Sequence, residues 1–123
     1  MMQVKDYDLI EEIAELLPIP RGYKILVACP QVEEKTEGGI IIAENTRNKE
    51  SVASILGYVI ELGEDAYFDS DKFPTAPYCK PGDWVMFRSY TGTRFKVKGH
   101  EFRLINDDSV EAIVEDPRSI ERV

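Results

Sequence analysis

The sequence predicts a small all-β domain, and three observations predict it. Apolar and polar residues alternate over short segments, as they do in half-buried strands. Eight glycines and seven prolines punctuate these segments, a content typical of turn-rich β proteins. The segments follow one another closely, without helical patterns between them. This spacing favours a small antiparallel barrel or sandwich.

Six segments carry the strand pattern. They cover residues 23–28, 55–62, 84–87, 94–98, 101–105 and 110–114. Lys80-Pro81-Gly82-Asp83 is a strong turn signal that introduces the third strand. Gly99-His100 is predicted as a two-residue hairpin turn with glycine first. A second polar turn, at 106–108, leads into the last strand.

A short helix is predicted before the first strand, over residues 7–17. Its apolar positions follow helical spacing and are Leu9, Ile10, Ile13, Leu16 and Leu17. Pro18 and Pro20 end it. The pattern allows two interpretations, a helix packed on its own domain or a docking helix for another chain.

Two segments fit no strand. Residues 31–54 form a polar tract, and tracts of this length are usually functional or disordered. It contains three consecutive isoleucines, Ile40, Ile41 and Ile42, which form either a core strand of a hairpin or an exposed apolar anchor for a partner. Residues 64–78 mix acids, aromatics and two prolines, which favours a hairpin or an Ω-loop. The carboxylate spacing of a calcium loop is absent there.

The composition argues against several classes of partner. Fifteen Lys and Arg oppose 23 Asp and Glu, a net charge of −8 that disfavours duplex nucleic acid. One basic stripe, with interleaved aromatic residues, is predicted as the solvated face of a strand rather than a nucleic-acid surface. Its members are Arg88, Arg94, Lys96, Lys98 and Arg103. No apolar run reaches the length of a membrane span, and no secretory signal is predicted.

The sequence also predicts no enzyme and no metal site. The single histidine, His100, falls in a predicted turn, and nothing aligns it with a nucleophile. Glycine-rich phosphate loops and closely spaced metal ligands are missing as well. Cys29 and Cys79 predict two free thiols in a reducing cytoplasm, although one disulfide stays open as an alternative.

Five blocks of the chain carry a more specific signal. They read PRGYKILV at 20–27, EEKTEGGIII at 33–42, KPGDWVMF at 80–87, YTGTRFKVKGHEF at 90–102 and DSVEAIV at 108–114. In order and nearly without gaps over 19–115, they resemble the GroES co-chaperonins, the lids of bacterial chaperonins. The resemblance implies three parts, an extension at 1–18, a barrel at 19–115 and a tail at 116–123.

The resemblance implies a conical GroES-like β-barrel that assembles as a ring of seven. It implies that 33–54 is a mobile loop in which Gly38 and Gly39 allow a hairpin to form. Ile40, Ile41 and Ile42 would then bind the apical domains of a chaperonin. It also implies a roof hairpin at 64–77, with roof or cavity-facing residues Tyr67, Phe68, Phe73 and Tyr90. The implied subunit seam comprises Ile25, Leu26, Val27, Val110, Ala112, Ile113 and Val114.

The resemblance further implies that the partner chaperonin binds ATP and that the lid itself has no cofactor. The other partner is a folding client. The N-terminal extension, the tail and the aromatic roof depart from the family pattern, and such divergence is similar to that of phage-encoded co-chaperonins that serve a capsid protein. The alternative is a stand-alone β-barrel binding protein or viral structural protein that has lost the chaperonin partner.

Overall fold

Six antiparallel strands form the domain. The computed structural model of the chain describes residues 13–30 and 52–123. The strands are β1 (Lys24–Ala28), β2 (Leu56–Leu62), β3 (Trp84–Met86), β4 (Thr93–Val97), β5 (His100–Asn106) and β6 (Ala112–Val114). Short 3-10 helices lie at Ala14–Leu16, Asp107–Ser109 and Pro117–Ser119. The all-β prediction is confirmed.

The strands are hydrogen-bonded in the order β4-β5-β1-β2-β3-β6. β1 therefore lies inside the sheet, with β2 on one side and β5 on the other. The β1–β5 register places Val27 opposite Arg103 and Leu26 opposite Leu104. β4 and β6 are the two outer strands, each paired on one side only within the described part of the chain.

Both faces of β1 are covered, which explains its continuous apolar sequence. Ile25 and Val27 belong to one buried cluster, and Leu26 and Ala28 belong to a second cluster on the opposite face. The first cluster also contains Val59, Tyr67, Phe73, Cys79, Val85, Phe87, Ile105 and Val110. A third, smaller cluster joins Val52, Leu56, Trp84 and Val114.

Gly57 permits close packing in the first cluster. A Cβ atom at this position would lie 2.8 Å from Cγ2 of Val27 and 2.9 Å from the Phe87 ring. These distances are shorter than a van der Waals contact, so a larger residue in the middle of β2 would force the strand away from the core.

The turn between β4 and β5 differs by one residue from its prediction. Val97 pairs with His100, so the turn residues are Lys98 and Gly99. Both have positive φ, 51° and 82°, as a type I′ turn requires. The predicted Gly99-His100 turn is wrong, and His100 is the first residue of β5.

Within the described residues, the predicted N-terminal helix is shorter than expected. Only Ala14–Leu16 are helical there, in a single 3-10 turn, and Leu17 is already extended, as the proline after it favours. Ile13 and Leu17 pack on the second cluster, whereas Leu16 is 55% exposed. For these residues the interpretation of packing on the chain's own domain holds. Residues 7–12 of the prediction lie outside the described residues.

The predicted roof hairpin is wrong. Residues 64–77 form consecutive turns without a strand. Backbone hydrogen bonds join the start of this segment to the chain around β1, from Gly63 N to Lys24 O and from Asp65 N to Gly22 O. The segment packs on the core instead of projecting as a hairpin, because Tyr67 and Phe73 belong to the first cluster.

Candidate functional site

Tyr67 and Phe73 anchor the 64–77 segment, here called the roof loop, to the core. They are 8% and 6% exposed, and with Tyr78 they form a group of rings whose centroids lie 4.9–5.3 Å apart. The prediction that these two residues face solvent or a cavity is therefore wrong, because they complete the end of the barrel core. Tyr67 also adopts φ 61°, an uncommon conformation for a residue with a side chain.

The other two predicted roof residues are exposed, but they lie on different segments. Phe68 of the roof loop is 80% exposed. Tyr90 is 77% exposed and lies on the loop between β3 and β4, where its hydroxyl accepts a hydrogen bond from Nη1 of Arg88 at 3.0 Å. The structure therefore does not gather the four residues into one surface.

An open cleft of about 530 Å³ lies beside the roof loop. Its lining comes from the roof loop, the start of β1 and the turn after β5. The lining residues are Tyr23, Asp65, Phe68, Asp69, Lys72, Phe73, Asn106, Asp107 and Asp108. One ion pair closes part of its rim, between Lys72 Nζ and Asp108 Oδ2 at 2.7 Å. This cleft, which sequence reasoning missed, combines acids and aromatic rings that are distant in the sequence.

The predicted subunit seam is wrong at its first strand. Ile25, Leu26 and Val27 are at most 1% exposed. Both edges of β1 are hydrogen-bonded to other strands of the same chain, so no edge remains for a neighbouring subunit. These three residues belong to the core.

The second seam strand, β6, has the properties that such a role needs. β6 pairs with β3 on one side only, within the described residues. Ile113 is 47% exposed and Ala112 is also exposed, whereas Val110 and Val114 are buried in the core clusters. The part of the predicted seam that is accessible is therefore Ala112 and Ile113.

The predicted chaperonin-binding residues lie outside the described residues. They are Gly38, Gly39, Ile40, Ile41 and Ile42. Most of the predicted mobile loop, from residue 33 to residue 51, lies outside as well. Within 52–54, Val52 is buried against Leu56 and Trp84.

The basic stripe is only partly solvated. Arg94 is exposed and binds Glu101 through two hydrogen bonds, from Nε at 2.9 Å and from Nη2 at 3.1 Å. Arg103, opposite Arg94 in the β4–β5 register, is fully buried instead. The prediction of a solvated Arg103 is wrong because both faces of β5 are covered. Its position between Phe102 and Leu104 in an apolar strand is the signal that could have shown this.

Arg103 is the most unusual polar group of the interior. Its Nη1 donates to the carbonyl oxygens of Ser89 at 3.0 Å and Thr91 at 3.2 Å. Its guanidinium carbon lies 4.9 Å from the Phe87 ring centroid. Nε and Nη2 have no hydrogen-bond partner within the described part of the chain. Burial lowers the pKa of this guanidinium.

Cys29 and Cys79 are free thiols, as predicted, and both are buried. Burial, together with the nearby carboxylate of Glu101, raises the pKa of Cys29 to about 12. Burial likewise raises the pKa of Cys79, whose sulfur lies 3.5 Å from the hydroxyl of Tyr67. Protonated, buried thiols are poor nucleophiles, so neither geometry suggests catalysis.

Residues 13–30 and 52–123 contain no group of three or more His, Cys, Asp or Glu side chains suited to hold a metal ion. None of their helices has the length and apolar character to cross a membrane.

Comparison with known proteins finds similar proteins that align with more than three quarters of this chain. The family model of the chaperonin 10 Kd subunit, Cpn10, matches residues 19–114. A protein named co-chaperonin GroES from Caldicellulosiruptor saccharolyticus is 35% identical over 97 residues, which are 79% of this chain and 96% of that protein. One of the same name from Lactobacillus acidophilus is 34% identical over 95 residues, 76% of this chain and 95% of that protein.

Proposed function

Because this chain belongs to the chaperonin 10 kDa subunit family, we propose that it caps a chaperonin ring in a nucleotide-dependent manner and assists protein folding. The observation that carries the proposal is the extent of the similarity, which spans 96% of the length of a relative named co-chaperonin GroES. A shared barrel inside an unrelated protein would not produce such coverage. The role is that of a co-chaperonin and not of an enzyme.

The proposed contact is the loop 33–54, with Ile40, Ile41 and Ile42 as the apolar anchor. Burying one isoleucine contributes roughly 1.5–3 kcal/mol. Ordering the loop costs roughly 1–2 kcal/mol of backbone entropy per residue. A single loop therefore binds weakly, and a ring of loops gains affinity through effective concentration. Such binding is tight enough to close a chamber and still reversible.

The proposed assembly is a ring of seven, with β6 at the subunit boundary. The exposed apolar side chain of Ile113 supports this assignment, as does the edge of β6 that pairs with no other strand of the described residues. In this proposal the chaperonin binds and hydrolyses ATP in the cytoplasm, and the lid responds to the conformation of the ring without a cofactor of its own.

The proposed origin is a bacteriophage, and the proposed client is a capsid protein. Residues 1–18 and 115–123 lie outside the part of the chain that the family model matches. They give this lid additional residues on both sides of the barrel. The exposed Phe68 of the roof loop gives this lid a surface for an unfolded client.

The first test is co-elution with a purified bacterial chaperonin in size-exclusion chromatography. The mixture is run with ADP, with ATP and without nucleotide. We expect co-elution only in the presence of nucleotide. Failure to co-elute in all three conditions, with the chaperonins of several hosts, would contradict the proposal.

A matched pair of variants assigns the binding to the isoleucines. Ile41→Asp is expected to abolish co-elution without unfolding the barrel, because it places a charge in the centre of the anchor. Thr46→Asp adds the same charge in the same loop outside the triplet and should retain binding. If Ile41→Asp instead fails to fold, the isoleucines belong to the core and the anchor assignment is wrong.

A further inference from the structure

The C-terminal tail, residues 116–123, begins with a capped turn shortly after β6. The carboxylate of Asp116 accepts the backbone N–H of Arg118 at 3.0 Å and so caps the 3-10 helix Pro117–Ser119. The hydroxyl of Ser119 donates to the backbone carbonyl of Asp116 at 2.6 Å. These two hydrogen bonds hold the turn together, and the turn sets the direction in which the rest of the tail runs.

Ile120 follows this turn and is partly buried against the third cluster of the core. That cluster contains Val52 and Leu56, which lie where the loop 33–54 rejoins the barrel. Val52 is buried, and its carbonyl oxygen accepts the N–H of Ile55 at 3.1 Å. The tail therefore packs at the C-terminal end of the loop, although more than sixty positions separate the two segments.

Arg122 makes a second contact at the same place. Its Nη1 donates to the hydroxyl oxygen of Ser54 at 3.0 Å, across 68 positions of the sequence. An exposed contact of this kind contributes little by itself. It nevertheless adds a polar contact to the apolar contact of Ile120, so the tail reaches the loop end in two ways.

We propose that residues 116–122 act as a clasp that holds the C-terminal end of the loop 33–54 on the barrel. Residues 52–54 precede β2, so they lie outside the hydrogen-bonded sheet. Side-chain contacts therefore attach them to the barrel, and the tail supplies two of the groups involved. The family model ends at residue 114, so the clasp is not part of the barrel that the family model describes.

The clasp determines where the loop 33–54 leaves the barrel. Fixing the backbone of each residue costs conformational entropy, so a loop whose end is already held has fewer residues to order when it binds a partner. In the proposed co-chaperonin, release of the clasp would weaken binding to the chaperonin. This consequence rests on the proposed function, whereas the clasp itself is a property of this chain and is tested without a chaperonin.

Hydrogen exchange followed by mass spectrometry tests the clasp in the intact protein. The reporter is a peptide that contains the Ile55 amide, which is bonded to Val52 at the loop end. Deleting residues 116–123 should make exchange of this peptide about tenfold faster, because the loop end opens more often. Exchange in β1 and β5 should stay within about twofold of the unmodified protein.

Two results of the deletion would overturn the proposal. The first is an unchanged exchange rate in the Ile55 peptide, which would mean that the loop end stays on the barrel without the tail. The second is an equal rise in β1, β5 and the Ile55 peptide, which would mean that the tail stabilises the whole domain instead of the loop end.

A matched pair of variants tests the apolar contact without removing the tail. Ile120→Ala removes most of the side chain that packs on the third cluster. Val123→Ala shortens a fully exposed apolar side chain of the same tail. We expect about fivefold faster exchange of the Ile55 peptide in Ile120→Ala and less than about twofold change in Val123→Ala. Equal rates in the two variants would contradict the clasp.

A second pair tests the polar contact. Arg122→Ala removes the donor to Ser54, and Arg118→Ala removes the same charge from an arginine whose side chain binds Asp116 in its own turn. Exchange of the Ile55 peptide should be about twofold faster in Arg122→Ala than in Arg118→Ala, a small difference because the contact is exposed. No change in either Ile120→Ala or Arg122→Ala would overturn the proposal even if both variants fold normally.

Discussion

Tyr67 and Asp107, forty positions apart, are joined by two hydrogen bonds, both donated by Tyr67. The hydroxyl of Tyr67 donates to the backbone carbonyl of Asp107 at 2.8 Å, and the backbone N–H of Tyr67 donates to the carboxylate of Asp107 at 3.1 Å. The two bonds join the roof loop to the turn after β5. They also fix the left-handed backbone of Tyr67, which would otherwise be unfavourable.

Tyr67→Phe tests the contribution of this connection. The variant keeps the ring packed against Phe73 but removes the donor to the Asp107 carbonyl. We expect the free energy of unfolding to fall by about 1–2 kcal/mol, because a buried acceptor loses its partner. Urea denaturation at a fixed protein concentration measures the change, since assembly makes apparent stability depend on concentration.

Tyr78→Phe is the matched control. Tyr78 belongs to the same group of rings, but it is 45% exposed and its hydroxyl has no hydrogen-bond partner in the described residues. The same chemical change there should alter stability by less than about 0.5 kcal/mol. Equal losses in the two variants would mean that the hydroxyl of Tyr67 contributes little beyond general packing.

The roof loop also shows where prediction from sequence reached its limit. The strands were predictable because alternation and turn residues act locally, and all six were found within a few residues of their predicted ends. Whether the aromatic residues at 67 and 73 point outward or inward depends on the open end of a barrel formed by distant strands. That contact has no local signature, and the family resemblance predicted a hairpin there instead.

Assignment of the seam failed for a similar reason. An apolar run such as Ile25–Val27 is compatible both with a buried strand and with a contact surface, and only the strand order distinguishes them. The hydrogen bonds of β1 to β2 and β5 place it inside the sheet. The topology of the whole sheet decides which strands pair when they are far apart in sequence. The apolar pattern of a single strand does not reveal its partners.

Cys29 makes the protein sensitive to alkaline pH. Its thiol has a pKa near 9 when unfolded, and burial raises the pKa to about 12 in the folded chain. Between these values the unfolded chain loses the thiol proton while the folded chain keeps it. Stability is therefore complete below about pH 9 and falls as pH rises toward 12, by at most about 1.4 kcal/mol per pH unit from this group.

Cys29→Ala is the variant that isolates this effect. We expect its free energy of unfolding to fall less steeply above about pH 9 than that of the unmodified protein, because the titrating group is gone. Each protein is compared with its own value near neutral pH, which removes the packing cost of the substitution. Parallel pH profiles for the two proteins would contradict the assignment of the effect to Cys29.

The buried Arg103 is expected to be replaceable by an apolar residue of similar length. Arg103→Met removes a desolvated charge and two donors without partners, and it loses the two hydrogen bonds to the loop carbonyls. These effects oppose each other, so we expect the free energy of unfolding to change by no more than about 1 kcal/mol. Amide hydrogen exchange should become faster in residues 89–92, because the carbonyl oxygens of Ser89 and Thr91 lose their hydrogen-bond donor.

Arg103→Ala is the contrasting variant. It loses the same hydrogen bonds but leaves a cavity beside Phe87, and we expect it to cost about 2–4 kcal/mol. Because neither variant carries the charge or the hydrogen bonds, the difference between their unfolding free energies gives the contribution of side-chain packing at this position. A large loss in Arg103→Met would show that the guanidinium itself stabilises the domain.

Ile113 is expected to control assembly without controlling folding. It lies on the outer strand β6 with 47% of its surface exposed, so Ile113→Asp leaves the core unchanged and places a charge at the proposed subunit boundary. Light scattering after size exclusion should give the mass of a ring for the unmodified protein and that of a smaller species for the variant, because burying an unpaired carboxylate is costly. Phe68→Asp adds the same charge to an exposed apolar position on the roof loop and should keep the ring. If both variants lose the ring, then either the subunit boundary does not lie at β6 or the added charge alone disrupts assembly.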